Sequence, residues 1–92
     1  MEETPRVCIV DDNLIARETL ADLLYPESYE LMLIESGPSL LARIDQIKPD
    51  VLLLDVMMPG MNGFEICQRL RSQPKWQHVP IILVTALDSK DS

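Results

Sequence analysis

Four continuous apolar runs, at residues 7–10, 31–34, 51–54 and 81–84, constrain this chain more than any other feature. A strand with one face in water alternates apolar and polar residues. Unbroken runs this short instead mark strands buried on both faces, as in a parallel sheet with helices on each side. The intervening segments, residues 11–30, 35–50 and 55–80, are too long for hairpins and long enough for helical crossovers. The chain order is therefore β-α-β-α-β-α-β. The seven prolines (Pro5, Pro26, Pro38, Pro49, Pro59, Pro74 and Pro80) fall at the joints and never inside a run.

Each crossover has its own helical pattern. In the first, Ala16, Leu20, Leu23 and Leu24 share a face, with Asp12 or Asn13 as N-cap and Pro26 as the stop. In the second, Gly37 and Pro38 read as N-cap and N1, and Leu40, Leu41, Ile44 and Ile47 recur at helical spacing. In the third, Asn62 caps a helix bearing Phe64, Ile66, Cys67 and Leu70, followed by a polar stretch in which Trp76 lids the helix and His78 is solvated. With 47% apolar residues in 92, the chain is too hydrophobic for a disordered acidic tail and long enough for one small domain, 1–92, with a core over about 6–86. A net charge of −7 argues against nucleic-acid and anionic-membrane surfaces, and makes Arg69, Arg71 and Lys75 a solvated face. Acids rather than bases open the sequence, and no apolar run is long enough to span a bilayer, so no export or spanning segment is expected and the location is cytoplasmic. Cys8 and Cys67, far apart and among apolar neighbours, read as reduced core thiols.

Right-handed crossovers place the third strand beside the first, on the side away from the second, giving the order 2-1-3-4. Ligands in such sheets bind beyond the carboxyl ends of the strands, where the order reverses. Asp11 and Asp12 follow the first run, Asp55 the third and Thr85 the fourth, whereas Glu35 sits out on the edge. Clustered carboxylates raise one another's pKa values unless a cation compensates, and a sparse, all-oxygen set suits Mg²⁺. A carboxylate beside Mg²⁺ is a competent nucleophile toward a phosphoryl group. Asp55, single and central, is the nucleophile candidate, with Asp11 and Asp12 as metal holders and Thr85 as a hydrogen-bond donor to a phosphoryl oxygen.

These residues resemble a known family. Asp11-Asp12 after a first strand, Asp55-Val56-Met57-Met58-Pro59-Gly60-Met61-Asn62-Gly63 after a third, and Val84-Thr85-Ala86 after a fourth are similar to the receiver domain of two-component response regulators. The likeness runs from about Arg6 to Asp88. It implies a flavodoxin-like α/β fold in which Asp55 accepts phosphate from a sensor histidine kinase or phosphotransfer protein. It further implies that Asp12, Asp55 and the backbone carbonyl of Met57 hold Mg²⁺, with Asp11 acting through water. Thr85 would be the switch hydroxyl, and Ala86 the small neighbour that permits close approach. Receivers also carry a fifth strand with a lysine and an aromatic switch residue, then a final helix. The expectation is therefore four strands and three helices of an incomplete receiver, with phosphorylation impaired.

That incompleteness carries a further expectation. The sheet face assigned to Ile9, Leu53 or Leu83 is covered by the first helix alone, which predicts a homo-oligomer joined through residues 80–86 and that face. Two other readings compete. One is an interaction or self-association module that does not depend on phosphorylation. The other is a Mg²⁺-dependent aspartyl-phosphate hydrolase, which uses Asp-x-Asp on the first strand and a strand-end lysine absent here. The favoured reading is an acceptor module, not an enzyme turning over a diffusible substrate.

Overall fold

The computed structural model describes residues 4–84. In chain order the elements are β1 (Arg6–Val10), α1 (Leu14–Leu24), a 3-10 turn (Tyr25–Glu27), β2 (Glu30–Ile34), α2 (Gly37–Ile47), β3 (Val51–Asp55), α3 (Gly63–Arg71) and β4 (Ile81–Val84). The four strands are parallel in the order β2-β1-β3-β4, as the crossover argument requires. Each apolar run is a strand, and three of them gain one polar or charged residue at an end: Arg6, Glu30 and Asp55.

Local chemistry sets the helix starts. The Asn13 side chain accepts from the Ala16 amide at 2.9 Å, so Asn13, not Asp12, caps α1. Ser36, not Gly37, caps α2, accepting from the Ser39 amide at 3.2 Å; glycine has no side-chain oxygen to offer, and Gly37 and Pro38 fill the first turn instead. Asn62 and Glu65 form a reciprocal capping box on α3, each bond 2.9 Å.

The two sheet faces differ. On one, Cys8, Val10, Ile34, Leu52 and Leu54 pack against Leu40, Ile44 and Ile47 of α2 and Ile66 and Leu70 of α3. At about 1.5–3 kcal/mol for each fully buried large side chain, this face supplies most of the hydrophobic driving force. Trp76 does more than lid α3. It is 7% exposed, belongs to this core, and donates its indole N–H to Asp45 of α2 at 2.8 Å. Two of the residues assigned to a solvated basic face also help hold this connection. Arg71 donates to the carbonyls of Trp76 and Gln77, and Lys75 pairs with Asp45 at 3.4 Å.

On the opposite face Val7 and Ile9 are buried, yet no residue of α1 is. Leu23, expected on the packed stripe, is 68% exposed. The register also corrects one assignment: Leu53 pairs with Ile82, so Ile82 shares the Ile9 and Leu53 face, whereas Leu83 pairs with Leu54 on the α2–α3 side. Cys8 is buried and Cys67 only half-buried; both are free thiols. Burial pushes the Cys8 thiol up to about 12, leaving it protonated and inert.

Candidate metal and phosphoryl site

The carboxyl ends of β1 and β3 meet where the strand order reverses, and each delivers an acid there. The Asp11 amide continues the sheet ladder to the Ile34 carbonyl at 3.1 Å, while its Oδ1 accepts from the Asn13 amide at 2.9 Å, holding the side chain in a tight turn. Asp55 closes β3, and the next amide, Val56, donates to the Val84 carbonyl at 3.1 Å. The Met57 amide then donates back to Asp55 Oδ1 at 3.3 Å. Gly60 turns the following loop with φ of 77°. The loop returns so closely that the Gly63 amide bonds the Val56 carbonyl at 3.2 Å. A Cβ at Gly63 would lie 2.6 Å from the Asp55 carbonyl oxygen. Glycine at 63 is thus what lets α3 begin against the end of β3.

Asp11, Asp12 and Asp55 each place one carboxylate oxygen within 4.8 Å of the others. Asp11 and Asp55 are buried and Asp12 is exposed. Two full charges at that separation repel by on the order of 3 kcal/mol at an effective dielectric of about 20. Asp55 responds: burial first, then the charges of Asp11 and Asp12, hold its carboxyl above the usual range, with the Met57 N–H acting the other way. Among the described residues no lysine or arginine pairs with any of the three. Arg17, close by, donates instead to the Asp11 backbone carbonyl at 2.7 Å. Uncompensated hard-oxygen ligands converging from two strand ends fit a small divalent cation.

Of the residues singled out from sequence, Asp11, Asp12 and Asp55 come together, with Met57 two residues beyond Asp55 on the adjoining loop. Thr85 and Ala86 lie outside the described residues. Three features escaped the sequence reading. Arg17 braces the Asp11 turn, and no periodicity marks it. Gly63 is a contact point, which its place straight after a helix cap hinted at. Exposed Met57 and Phe64 line a recess beside the acids together with Met58, Pro59 and Asn62; the apolar density around the Pro-Gly turn was the available signal.

Known proteins are similar to this chain in sequence and in fold. The chain is 42% identical over 85 residues to Response regulator PleD of Caulobacter vibrioides, covering 92% of this chain and 19% of that protein. It is 42% identical over 84 residues to Sensory transduction protein RegX3 of Mycobacterium tuberculosis, covering 91% of this chain and 36% of that one. The chain therefore spans well under half the length of these relatives. Among solved structures, a putative response regulator from Chloroflexus aurantiacus superposes with a TM-score of 0.87 at 32% identity, over 97% of this chain and 74% of that one. The signal receiver domain of a histidine kinase from Syntrophus aciditrophicus gives 0.85 at 30% identity, over 96% and 67%. With residues 7–92 matching the family as a whole, this chain belongs to the response regulator receiver domains of two-component signalling.

Proposed function

We propose that this domain is a phosphoacceptor whose Asp55 takes a phosphoryl group from the phosphohistidine of a sensor kinase or phosphotransfer protein. The carrying observation is the convergence of three carboxylates, two of them buried, with no lysine or arginine ion-paired to them among the described residues. An Asp55 carboxylate oxygen attacks phosphorus, an O–P bond forms, and the donor's N–P bond breaks with its electron pair left on the imidazole nitrogen. The Met57 amide, on one Asp55 oxygen, orients the carboxylate for attack. Asp12, Asp55 and the Met57 carbonyl would hold Mg²⁺, with Asp11 acting through water. When bound there, the ion neutralises charge on the transferring oxygens. Thr85 would hydrogen-bond a phosphoryl oxygen and Ala86 leave room for it. No diffusible substrate is turned over, so the domain is a switch and not an enzyme. A cytoplasmic setting goes with this role; among the described residues no helix is long and apolar enough to cross a membrane.

The test uses acetyl phosphate with Mg²⁺. Modification is expected on the parent chain and lost in Asp55→Asn, read by mass spectrometry after borohydride trapping. Equal labelling of Asp55→Asn would place the acceptor elsewhere.

A second reading, self-association, has one specific observation in its favour. Ile82 is 54% and Leu83 37% exposed on opposite faces of β4, at a sheet edge among the described residues. Light scattering across a dilution series decides it: a dimer is expected, and a monomer at all micromolar concentrations refutes it.

A further inference from the structure

At the far end of the sheet from the acids, β2 and α2 enclose a groove of about 270 Å³ lined by Arg6, Glu30, Met32, Arg43, Gln46 and Ile47. Its charges are not alike in availability. The Arg6 guanidinium is already spent, bonded through Nε to Glu30 at 3.1 Å and through Nη1 to the Ile47 carbonyl at 2.7 Å. Glu30 is neutralised by the same contact. Arg43 has neither an ion pair nor a side-chain hydrogen bond among the described residues. It nonetheless lies close enough to the sheet for its charge to act on the buried Cys8 thiol. In a chain of net −7, the groove therefore offers a free guanidinium over a floor of Met32 and Ile47.

The strand beside the groove is open as well. Among the described residues β2 is an edge strand, bonded to β1 alone, so its outer amides and carbonyls are available there. Its side chains divide by face. Glu30 and Met32 pair with Arg6 and Cys8 toward α2, while Leu31 and Leu33 pair with Val7 and Ile9 toward α1, and Leu33 is 40% exposed. A chain segment added to this edge would point alternate residues at Arg43 on one face and at Leu31 and Leu33 on the other. The groove's volume falls below the usual range for small-molecule sites and suits one side chain.

We propose that the β2 edge and the adjoining Arg43 groove form a docking strip for an extended segment of a partner protein with an apolar–acidic–apolar pattern, its carboxylate on Arg43 and its flanking apolar residues over Leu31 and Leu33. Main-chain pairing supplies the affinity, and the guanidinium sets the register and selects an acid. The strip lies away from Asp55, so a partner held there leaves the phosphoryl site open, and the proposal stands apart from the phosphoacceptor reading.

The test titrates the 92-residue chain with acetyl-Thr-Val-Glu-Val-Thr-amide, followed by amide shifts and the Arg43 Nε resonance. Shifts are expected on residues 30–34 and at Arg43, with binding about fivefold weaker for the same peptide bearing Gln in place of Glu, and for Arg43→Gln with the original peptide. Leu33→Lys, an exposed change on the other face, should weaken binding too. Absence of shifts at millimolar peptide, equal affinity for the Gln peptide, or shifts confined to α1 would each overturn the proposal. So would glutarate alone saturating the site as well as the peptide does, which would make it a small-carboxylate site.

Discussion

Replacing Gly63 with alanine tests whether close approach of α3 to the end of β3 builds the acidic site. The new methyl would sit 2.6 Å from the Asp55 carbonyl oxygen and 3.0 Å from the Val56 Cα, both backbone atoms that cannot rotate away. Ordinary carbon–oxygen contact requires the helix start to retreat by on the order of 0.8 Å. Overpacking of this kind costs about 1–3 kcal/mol, from which the gain of alanine over glycine in a helix subtracts at most about 1 kcal/mol. At the middle of both ranges the net loss is about 1.5 kcal/mol, lowering Tm by roughly 6–12 °C in a domain this size. Gly60→Ala is the control. Its φ is 77°, but nothing lies within 4 Å of the added methyl, so it costs about 1 kcal/mol of left-handed strain and disturbs no neighbour. Thermal unfolding followed by Trp76 fluorescence gives the stabilities, and Mg²⁺ titration by amide shifts gives the affinities. Gly63→Ala should lose both stability and affinity, and Gly60→Ala stability alone. A Gly63→Ala protein as stable as the parent, with unchanged Mg²⁺ affinity, would refute the argument.

Three other outcomes are expected. If Mg²⁺ binds with a Kd of about 1 mM, 10 mM Mg²⁺ should add about 1.4 kcal/mol of stability, read as a rise in Tm that Asp12→Ala abolishes and Asp11→Ala only diminishes. Asp55→Asn should raise the stability of the metal-free protein at pH 7, because it removes one of three mutually repelling charges; chemical denaturation in EDTA checks the sign. The Asp45 carboxyl is held below its ordinary 3.8 by the Trp76 indole N–H first and by Lys75 as well. A depressed folded-state pKa adds stability above the unfolded value and loses it as pH falls through the folded one, so the deficit of Asp45→Asn at pH 7 should shrink and vanish as the pH falls below the ordinary 3.8 and through the lower folded-state value. A deficit that persists there would mean the carboxylate charge is not what the indole uses.

The topology was legible because its causes are local and redundant. Four continuous apolar runs and crossover-length gaps admit few arrangements, and right-handed connection then fixes the order in which Asp11 and Asp55 become neighbours. What went astray depended on choices between adjacent residues or on which of two faces a helix covers. Gly37 and Ser36 both suit a helix start, and only the hydrogen bond to Ser39 separates them. Leu23 fits the helical period of α1, but that helix contacts the sheet through a narrow line and leaves Leu23 in water. The face of Leu83 is not legible because a continuous apolar strand carries no alternation to show its phase; pairing with Leu54 supplies it.

The site's composition also accounts for why the fold places it at strand ends. Each acid is costly there without a cation: Asp11 and Asp55 are buried and repel each other, and Asp55 is held above its ordinary pKa. Helix caps or exposed loops would relieve that repulsion by letting the carboxylates swing apart. At the ends of β1 and β3 they cannot, because the ladder bonds from the Asp11 and Val56 amides fix both backbones and the Asn13 and Met57 amides fix both side chains. The repulsion is therefore retained in the metal-free fold, and a bound cation or a covalent change at Asp55 acts on backbone that is already bonded to Val84 of β4. The peptide unit that follows Asp55 is thus bonded directly to Val84, on the outermost strand among the described residues.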